Sequence, residues 1–481
     1  MTSKAVHKHQ RQILGKVLCG LAWLSVACAC ALEPPYREPA LPVPNQWPIP
    51  ATTAGLPGTN VEGSDIGWRD FFVDARLKQL IGLALVNNRD LRVAVLNIEK
   101  VRAQYRIQRA ALLPWIDVSG TVTREKLPAS LNSGIPTPTS SYNNVGIEVP
   151  SYEMDLFGQV HSLTHVALED YLAREQARRS AQLSLIAELA SAYLAVASDR
   201  ELQRLAQNTL RSQEYSLALE QKRHETGTVS GLDLAQSQTT VERARADAAR
   251  YEGYIAQDID ALTLLVGAPV DPSLLPDQFD SDTMEIDPLP AGVPSAVLLR
   301  RPDVLQAEHT LRAANANIGA ARAAFFPDIT LTANIGSASA QLLNLFKSAT
   351  GAWTFQPLMS LPVFHGGALM GNLDAARINE NIALAQYEKT IQSGFREVAD
   401  ALALTRALNR QRKAQEALVE ATGRAYTLAQ RRYKVGGFSY LAVLDSQRSN
   451  YAALQGLIAN RLAEQNNRVA LYKALGGGWR E

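Results

Sequence analysis

Apolar and polar residues follow two rhythms along this chain. In four short stretches apolar side chains alternate with polar ones. These are Ile116, Val118 and Val122; Val145, Ile147 and Val149, continuing into YEMDLFG (152–158); Ile329, Leu331, Ala333 and Ile335; and WTFQPLMSLPVFHGG (353–367). A period of two predicts strands. A Ser/Pro/Gly-rich loop at 126–143 and a more apolar one at 337–351 make the four stretches two hairpins. Elsewhere the spacing is helical. Residues 159–226 contain neither Gly nor Pro, and residues 372–435 contain no Pro and only Gly394 and Gly423. At 1.5 Å per residue each predicts a helix roughly 95–100 Å long. Its apolar positions, such as Leu183, Leu185, Ile186, Leu189, Tyr193, Leu194 and Val196, recur at heptad-like spacing. Such a helix must pack side by side with others along its length. Earlier helices are predicted at 76–112 and 297–325, stopped by Pro114 and Pro327. Gly-bearing turns at 227–231 and 436–440 predict chain reversals into return helices at 232–266 and 441–475. A return helix and the first helix of its half together approach the long helix's length.

The order repeats. RAALLPWIDVSG (109–120) recurs as RAAFFPDITLTA (322–333), 213 residues on, and Asp90 then falls on Asp303. RHETGTVSGLDLAQSQ (223–238) recurs as RYKVGGFSYLAVLDSQ (432–447), 209 residues on. Ordered landmarks with so little drift argue for duplication. The expected organisation is a signal segment 1–29, an N-terminal strap 30–65, a first repeat 66–270, a linker 271–296 and a second repeat 297–478. The fold class is α+β membrane protein, with four strands and long helices per chain. Four strands cannot close a membrane barrel, since known ones start at about eight. Other copies of the chain must therefore complete the sheet. Three copies give twelve strands; two, giving eight, remain open by counting alone.

Composition narrows the function. The 481 residues carry 48 basic and 47 acidic side chains, which argues against a nucleic-acid partner. Mean hydropathy is −0.11, which argues against a multi-pass helical membrane protein. The only cysteines are Cys19, Cys28 and Cys30, so the body of the chain has no disulfide framework, thiolate metal site or Cys nucleophile. Lys4, Lys8, Arg11 and Lys16 precede or flank the apolar run Ile13–Ala27, which reads as a secretory signal. Small residues before a cysteine suggest lipoprotein processing. Cys28 follows Ser-Val-Ala and Cys30 follows Ala-Cys-Ala, so the signal leaves the choice between them open. An exported chain is not expected to use ATP. Two or more acyl chains would hold it firmly to the membrane. Residues 34–57 are Pro-rich and read as an extended strap.

These landmarks resemble the TolC/OprM-type outer-membrane efflux proteins, and especially their NodT-like lipoprotein branch. The resemblance rests on CALEPPY (30–36), IGWRDFFVDARLKQLIGLALVNNRDLRVA (66–94), YEMDLFG (152–158), the RRPDVLQAE run (300–308), AARAAFFPDI (320–329) and RRYKVGGFSYLAVLDSQ (431–447). It implies a homotrimer with a 12-stranded outer-membrane β-barrel and a periplasmic tunnel of twelve helices. It also implies a periplasmic adaptor and an inner-membrane efflux pump, usually of the resistance-nodulation-division type, as partners. It favours Cys30 as the acylated residue, because Pro34, Pro35 and Tyr36 follow it, and Ala31 suits delivery to the outer membrane.

No catalytic constellation is present in the sequence, and no cofactor is expected. His161 and His165 stand four apart on a predicted helix, a spacing that can hold zinc. No motif fixes a further ligand beside them, so they are expected to be solvated or interfacial. His224, His309 and His365 are scattered, and Gly476–Gly478 reads as a helix stop. The reversals carry more. Asp233 and Asp445 lie just after them, and in a trimer each would form a carboxylate ring able to constrict a pore. Either Asp also suits a helix start. The resemblance favours a gate at Asp445, with Leu441 and Arg448 on the same helix face. The family can carry a second acid where this chain has Ala442, which weakens the case for blocking by divalent cations. Arg223, Arg431, Arg432 and Tyr433 precede the turns and suit interchain pairing, adaptor docking or a solvated helix end. Gly227, Gly436 and Gly437 suit the reversals themselves; the resemblance places the adaptor's helical hairpin at these tips. The competing readings are a coiled-coil scaffold, a periplasmic adaptor and an enzyme. The four alternating stretches and the two equal halves speak against them.

Overall fold

The computed structural model describes residues 32–47, 67–126, 128, 139–277, 279, 295–435 and 439–477. The signal segment, Cys28, Cys30 and Gly436 lie outside the described residues. The elements in order are α1 (Trp68–Phe71), α2 (Ala75–Asn87), α3 (Arg89–Ala110), β1 (Asp117–Glu125), β2 (Ser140–Glu153), α4 (Gln159–Glu225) and α5 (Gly231–Val266). They continue with α6 (Pro302–Ala323), β3 (Asp328–Ser339), β4 (Gly351–Ser360), α7 (Ala368–Lys434) and α8 (Tyr440–Ala474). Short 3-10 turns lie at Pro272–Leu274, Ser295–Arg300 and Leu342–Asn344. The long helices α4 and α7 both have 67 residues and start and end 209 positions apart. The four-residue drift between the halves therefore falls in the hairpins.

The chain forms two compact units, and the first contains Ile98–Arg174 and Ala307–Tyr387 with the strap up to Pro39. Its sheet is antiparallel throughout, in the order β1-β2-β3-β4. The middle pairing, β2 with β3, joins the two halves. Strands β2 and β3 both run further toward the loops than the alternation predicted. Registers align the side chains in rows. Val118, Ile147, Ile335 and Trp353 make one row, and all four are exposed, by 52% or more. The neighbouring row, Asp117, Glu148, Asn334 and Thr354, is polar and points the other way. One face is thus apolar and open while the other is polar, the signature of a membrane barrel wall. A register shift between Val149 and Tyr152 accommodates Pro150. Gly146 and Gly336 face each other, and a Cβ on Gly336 would run into the Val145 carbonyl. The strap lies along α6: Asn315 Nδ2 donates to the Pro34 carbonyl (2.9 Å) and Arg322 Nη1 to the Leu32 carbonyl (3.1 Å).

The second unit contains Ala40–Asn97, Glu175–Gln306 and Glu388–Glu481. Its core gathers Trp68, Phe72, Leu77, Leu80 and Ile81 against Ile186, Leu189, Tyr193, Leu262 and Tyr472. The seven heptad positions from Leu183 to Val196 are all buried. The Phe71 and Tyr472 rings stack, and Tyr193 Oη donates to Asp74 Oδ2 (2.6 Å) beneath the start of α2.

Two expected helices are broken. The segment 76–112 divides at Asn88, whose backbone is extended. Its side chain accepts from Leu91 N (2.9 Å), capping α3, and donates to the Leu265 carbonyl (2.8 Å) at the end of α5. The segment 297–325 divides at Arg301, because Pro302 starts α6 and cannot continue a helix behind it. Arg301 Nη1 donates to the Ala474 carbonyl (2.6 Å) at the end of α8. Arg301 lies 213 residues after Asn88, and Ala474 lies 209 after Leu265. The same junction thus occurs in both halves, at the offsets the sequence repeat has on each side. It sets the end of each return helix, α5 and α8, against the start of an earlier helix of the same half, α3 and α6.

Candidate functional site

The first reversal is tightly built. Gly227 takes a positive φ of 75°, and Thr228 N and Oγ1 both donate to the Arg223 carbonyl, at 2.9 and 2.8 Å. Ser230 caps α5: its Oγ accepts from Asp233 N (3.1 Å) and donates to Asp233 Oδ2 (2.7 Å). Asp233 therefore serves the helix start in this chain. His224 Nδ1 lies 2.9 Å from the Val229 carbonyl across the same turn.

Arg223 and Tyr433, more than two hundred residues apart in sequence, meet at the tip. Arg223 Nη1 donates to Tyr433 Oη (2.8 Å), and that hydroxyl donates to Glu220 Oε1 (2.9 Å). The guanidinium also lies 5.1 Å from the Tyr433 ring centroid. The Glu220 side chain is 2% exposed, and its ion pair to Arg223 is 3.4 Å long. Burial, and then the Glu220 acceptor, push the Tyr433 hydroxyl well above its ordinary range, so it stays a donor. Glu220 was not singled out in the sequence. Its only local signal is the three-residue spacing to Arg223, shared by many exposed pairs.

From this triad a ladder of side chains ties α8 to α5. The Tyr433 and Tyr440 rings lie 5.2 Å apart. Tyr440 Oη donates to Ser237 Oγ (3.2 Å), Tyr451 Oη to Asp247 Oδ2 (3.2 Å), and Gln455 Nε2 to Tyr251 Oη (3.1 Å). Burial, with Asp247 reinforcing it, raises the Tyr451 hydroxyl far from ionisation. Beside the ladder is a cavity of about 390 Å³, lined by Leu441, Asp445, Arg448, Asp247 and Tyr451 among others. Asp445 Oδ1 pairs with Arg448 Nη2 along α8 at 2.5 Å, and both side chains are largely exposed. Leu441 is also exposed, at 58%. Arg431 and Arg432 lie exposed on the last turn of α7. The arrangement ties α4 to α7 and α5 to α8 near their described ends while leaving Leu441, Asp445 and Arg448 open.

The two histidines expected to be solvated or interfacial differ in their surroundings. His161 is exposed, but His165 Nδ1 lies 3.0 Å from the Glu33 carboxylate of the strap. His165 Nε2 is 3.3 Å from Glu169, and His309 Nδ1 is 2.7 Å from the same carboxylate. Burial raises the Glu169 carboxyl. The hydrogen bond and charge of His309, with the charges of His165 and Arg312, outweigh this and lower it overall. The partners come from the strap and α6, far away in sequence. Among the described residues no group of three or more such side chains is arranged to hold a metal.

This geometry places the chain among known proteins. It is 46% identical over 452 residues to the toluene efflux pump outer membrane protein TtgC of Pseudomonas putida, covering 94% of this chain and 93% of that one. It is 43% identical to the outer membrane protein OprJ of Pseudomonas aeruginosa, covering 94% of each. Its fold matches the crystal structure of the open state of the Neisseria gonorrhoeae MtrE outer membrane channel with a TM-score of 0.83. Identity there is 38%, with 94% of this chain and 99% of that one covered. The chain belongs to the outer membrane efflux protein family, whose model matches residues 80–268 and 293–477. It is thus an outer-membrane component of an efflux system.

Proposed function

We propose that three copies of this chain form a passive channel through the outer membrane, fed by a periplasmic adaptor and an inner-membrane efflux pump. The observation that carries the reading is the sheet. It has an apolar face, a polar face and two edges, β1 and β4. In a bilayer each unpaired backbone group costs several kcal/mol, so the edges require partners. Pairing β4 of one copy with β1 of the next removes both. Three copies then supply twelve strands, in the range of known membrane barrels. The chain itself performs no catalysis in this reading, and the pump, of the resistance-nodulation-division type, supplies the energy. The names of Pseudomonas putida relatives mention toluene, solvents and antibiotics, which supports small organic cargo here.

The gate lies at the reversals. Leu441, Asp445 and Arg448, repeated around the trimer axis, narrow the tunnel, with Asp233 as a lesser contributor. Arg223, Tyr433, Arg431 and Arg432 hold the tip shut or, with the Gly227 and Gly436 turns, receive the adaptor. Residues 1–29 are removed and Cys30, or alternatively Cys28, is acylated. Residues 30–65 then form the anchored strap, with repeats at 66–270 and 297–478 about the linker 271–296.

The test has two parts. The outer-membrane fraction should give a heat-sensitive trimer band on a gel; a stable monomer overturns the channel. Asp445→Ala, alone and with Arg431→Ala, should raise single-channel conductance in planar bilayers. Unchanged conductance overturns the gate.

A further inference from the structure

The β3–β4 loop is ordered and yet presents large apolar side chains to the outside. Leu342, Leu343 and Phe346 are exposed by 58%, 93% and 83%, while Leu345 between them is buried. The loop is hydrogen-bonded within itself. The Asn344, Leu345 and Lys347 backbone amides donate to the carbonyls of Gln341, Leu342 and Asn344. Asn344 Nδ2 donates to Gln341 Oε1 (2.8 Å), and Thr350 Oγ1 donates to the Lys347 carbonyl (2.7 Å). Ala349 is held at φ 69°, a conformation a residue with a side chain rarely adopts.

The loop is pinned to one particular face of the sheet. Ser337 Oγ donates to Thr350 Oγ1 (2.7 Å) and lies against the Leu345 carbonyl. Ser337 is two residues beyond Ile335, so its side chain is on the same face as the apolar row Val118, Ile147, Ile335 and Trp353. The row at Ser337 is otherwise Gly120, Val145 and Gly351. A Cβ on Gly351 would meet nothing, so the face beside the loop's anchor is open. The loop is thus anchored one row beyond the one that ends in Trp353, and its exposed leucines and Phe346 extend the apolar surface there. Lys347 is exposed beside them.

We propose that this loop is a lipid-binding foot. Leu342, Leu343 and Phe346 seat among the acyl chains of the outer leaflet, and Lys347 binds a phosphate of an anionic lipid there. The proposal rests on the barrel reading, which makes the apolar face the lipid-facing one. Continuity with that face and the cation beside the apolar group both select a phosphorylated lipid as occupant.

The test uses the full-length trimer in nanodiscs of phosphatidylethanolamine with phosphatidylglycerol. Leu343→Cys and, separately, Val118→Cys carry a polarity-sensitive fluorophore. Both probes should be quenched by lipids brominated on their acyl chains and shielded from aqueous iodide. Lys347→Gln should lower retention of phosphatidylglycerol by about fivefold, the effect of one cation at an anionic surface. Lipid quenching at 118 with iodide quenching at 343 overturns the foot alone. Quenching by neither agent at 343 means another copy of the chain covers it, which also overturns the foot. Absence of lipid quenching at 118 overturns the barrel reading itself. Equal phosphatidylglycerol retention with and without Lys347 overturns the phosphate contact.

Discussion

Tyr433→Phe removes one oxygen from the tip and leaves the ring in place. That oxygen accepts from Arg223 and donates to Glu220. Glu220 is nearly inaccessible, and among the described residues its Oε2 already has no hydrogen-bond partner. Without the hydroxyl, Oε1 keeps only the 3.4 Å approach of Arg223. A hydrogen bond to a charged group contributes about 1.5–3 kcal/mol, and a buried charge left short of partners forfeits it. Arg223 is partly exposed and can shift toward the carboxylate, so the low end, about 1.5 kcal/mol, is the expected net. About 1.4 kcal/mol is tenfold in an equilibrium. If the triad holds the closed tip, open probability in planar bilayers should rise roughly tenfold. Glu220→Gln, which keeps an acceptor without the charge, should produce a smaller rise. Thermal melting monitored by circular dichroism separates the two roles of the hydroxyl. A lower melting temperature with unchanged open probability would refute the argument, because the hydroxyl would then stabilise helix packing without holding a gate.

Further outcomes follow from other contacts. Burial, with Asp199 nearby, raises the Asp258 carboxyl to about 6. Its folded value lies above the unfolded one, so stability is full at low pH and is lost as pH rises from about 4 to 6. Asp258→Asn should therefore stabilise the fold at pH 7.5 by about 1 kcal/mol after solvent screening, seen as a higher melting temperature, and give no gain near pH 4. The Glu169 carboxyl is lowered, so its contribution is present above the ordinary carboxylate range and is lost as pH falls below it. The melting deficit of Glu169→Gln at pH 7.5 should shrink in acid; a deficit independent of pH would contradict the ion-pair account. Arg301 is buried between Asp303, Glu397 and the Ala474 carbonyl. Arg301→Ala should cost about 3 kcal/mol in urea melts, and Asn88→Ala about 1–2 kcal/mol. Gly336→Val should abolish the heat-sensitive trimer band, because its Cβ meets the neighbouring strand's backbone.

Much of the fold is legible in local rhythm. The strands, the long helices and the return helices all follow from spacing that a few residues define, and duplication follows from comparing the halves. The break at Pro302 is also written locally, but the helical rhythm resumes so quickly on either side that it masks the break. The break at Asn88 is less visible, since Asn is tolerated within helices and its purpose is a carbonyl 177 residues away. Arg223 and Tyr433 stand out through their place beside the turns. Glu220, and the pairing of His165 with Glu33, do not. The partners that set them apart, Tyr433 for Glu220 and Glu33 for His165, are more than a hundred residues distant, and nothing in the adjacent sequence distinguishes these carboxylates from the solvated ones.

The equal length of α4 and α7 has a consequence for how such a chain can change. One inserted residue turns everything beyond it by about 100° around the helix axis. An insertion early in α4 would therefore swing Glu220 and Arg223 off the face that meets Tyr433, though the tip itself were untouched. Seven residues turn it by only about 20°, and only if its neighbours lengthen by the same amount. Helix length in this protein can thus drift only in whole heptads, and jointly, whereas the hairpin loops have already differed by four residues without penalty. The span these helices bridge is held to a quantised gauge, which single insertions cannot tune.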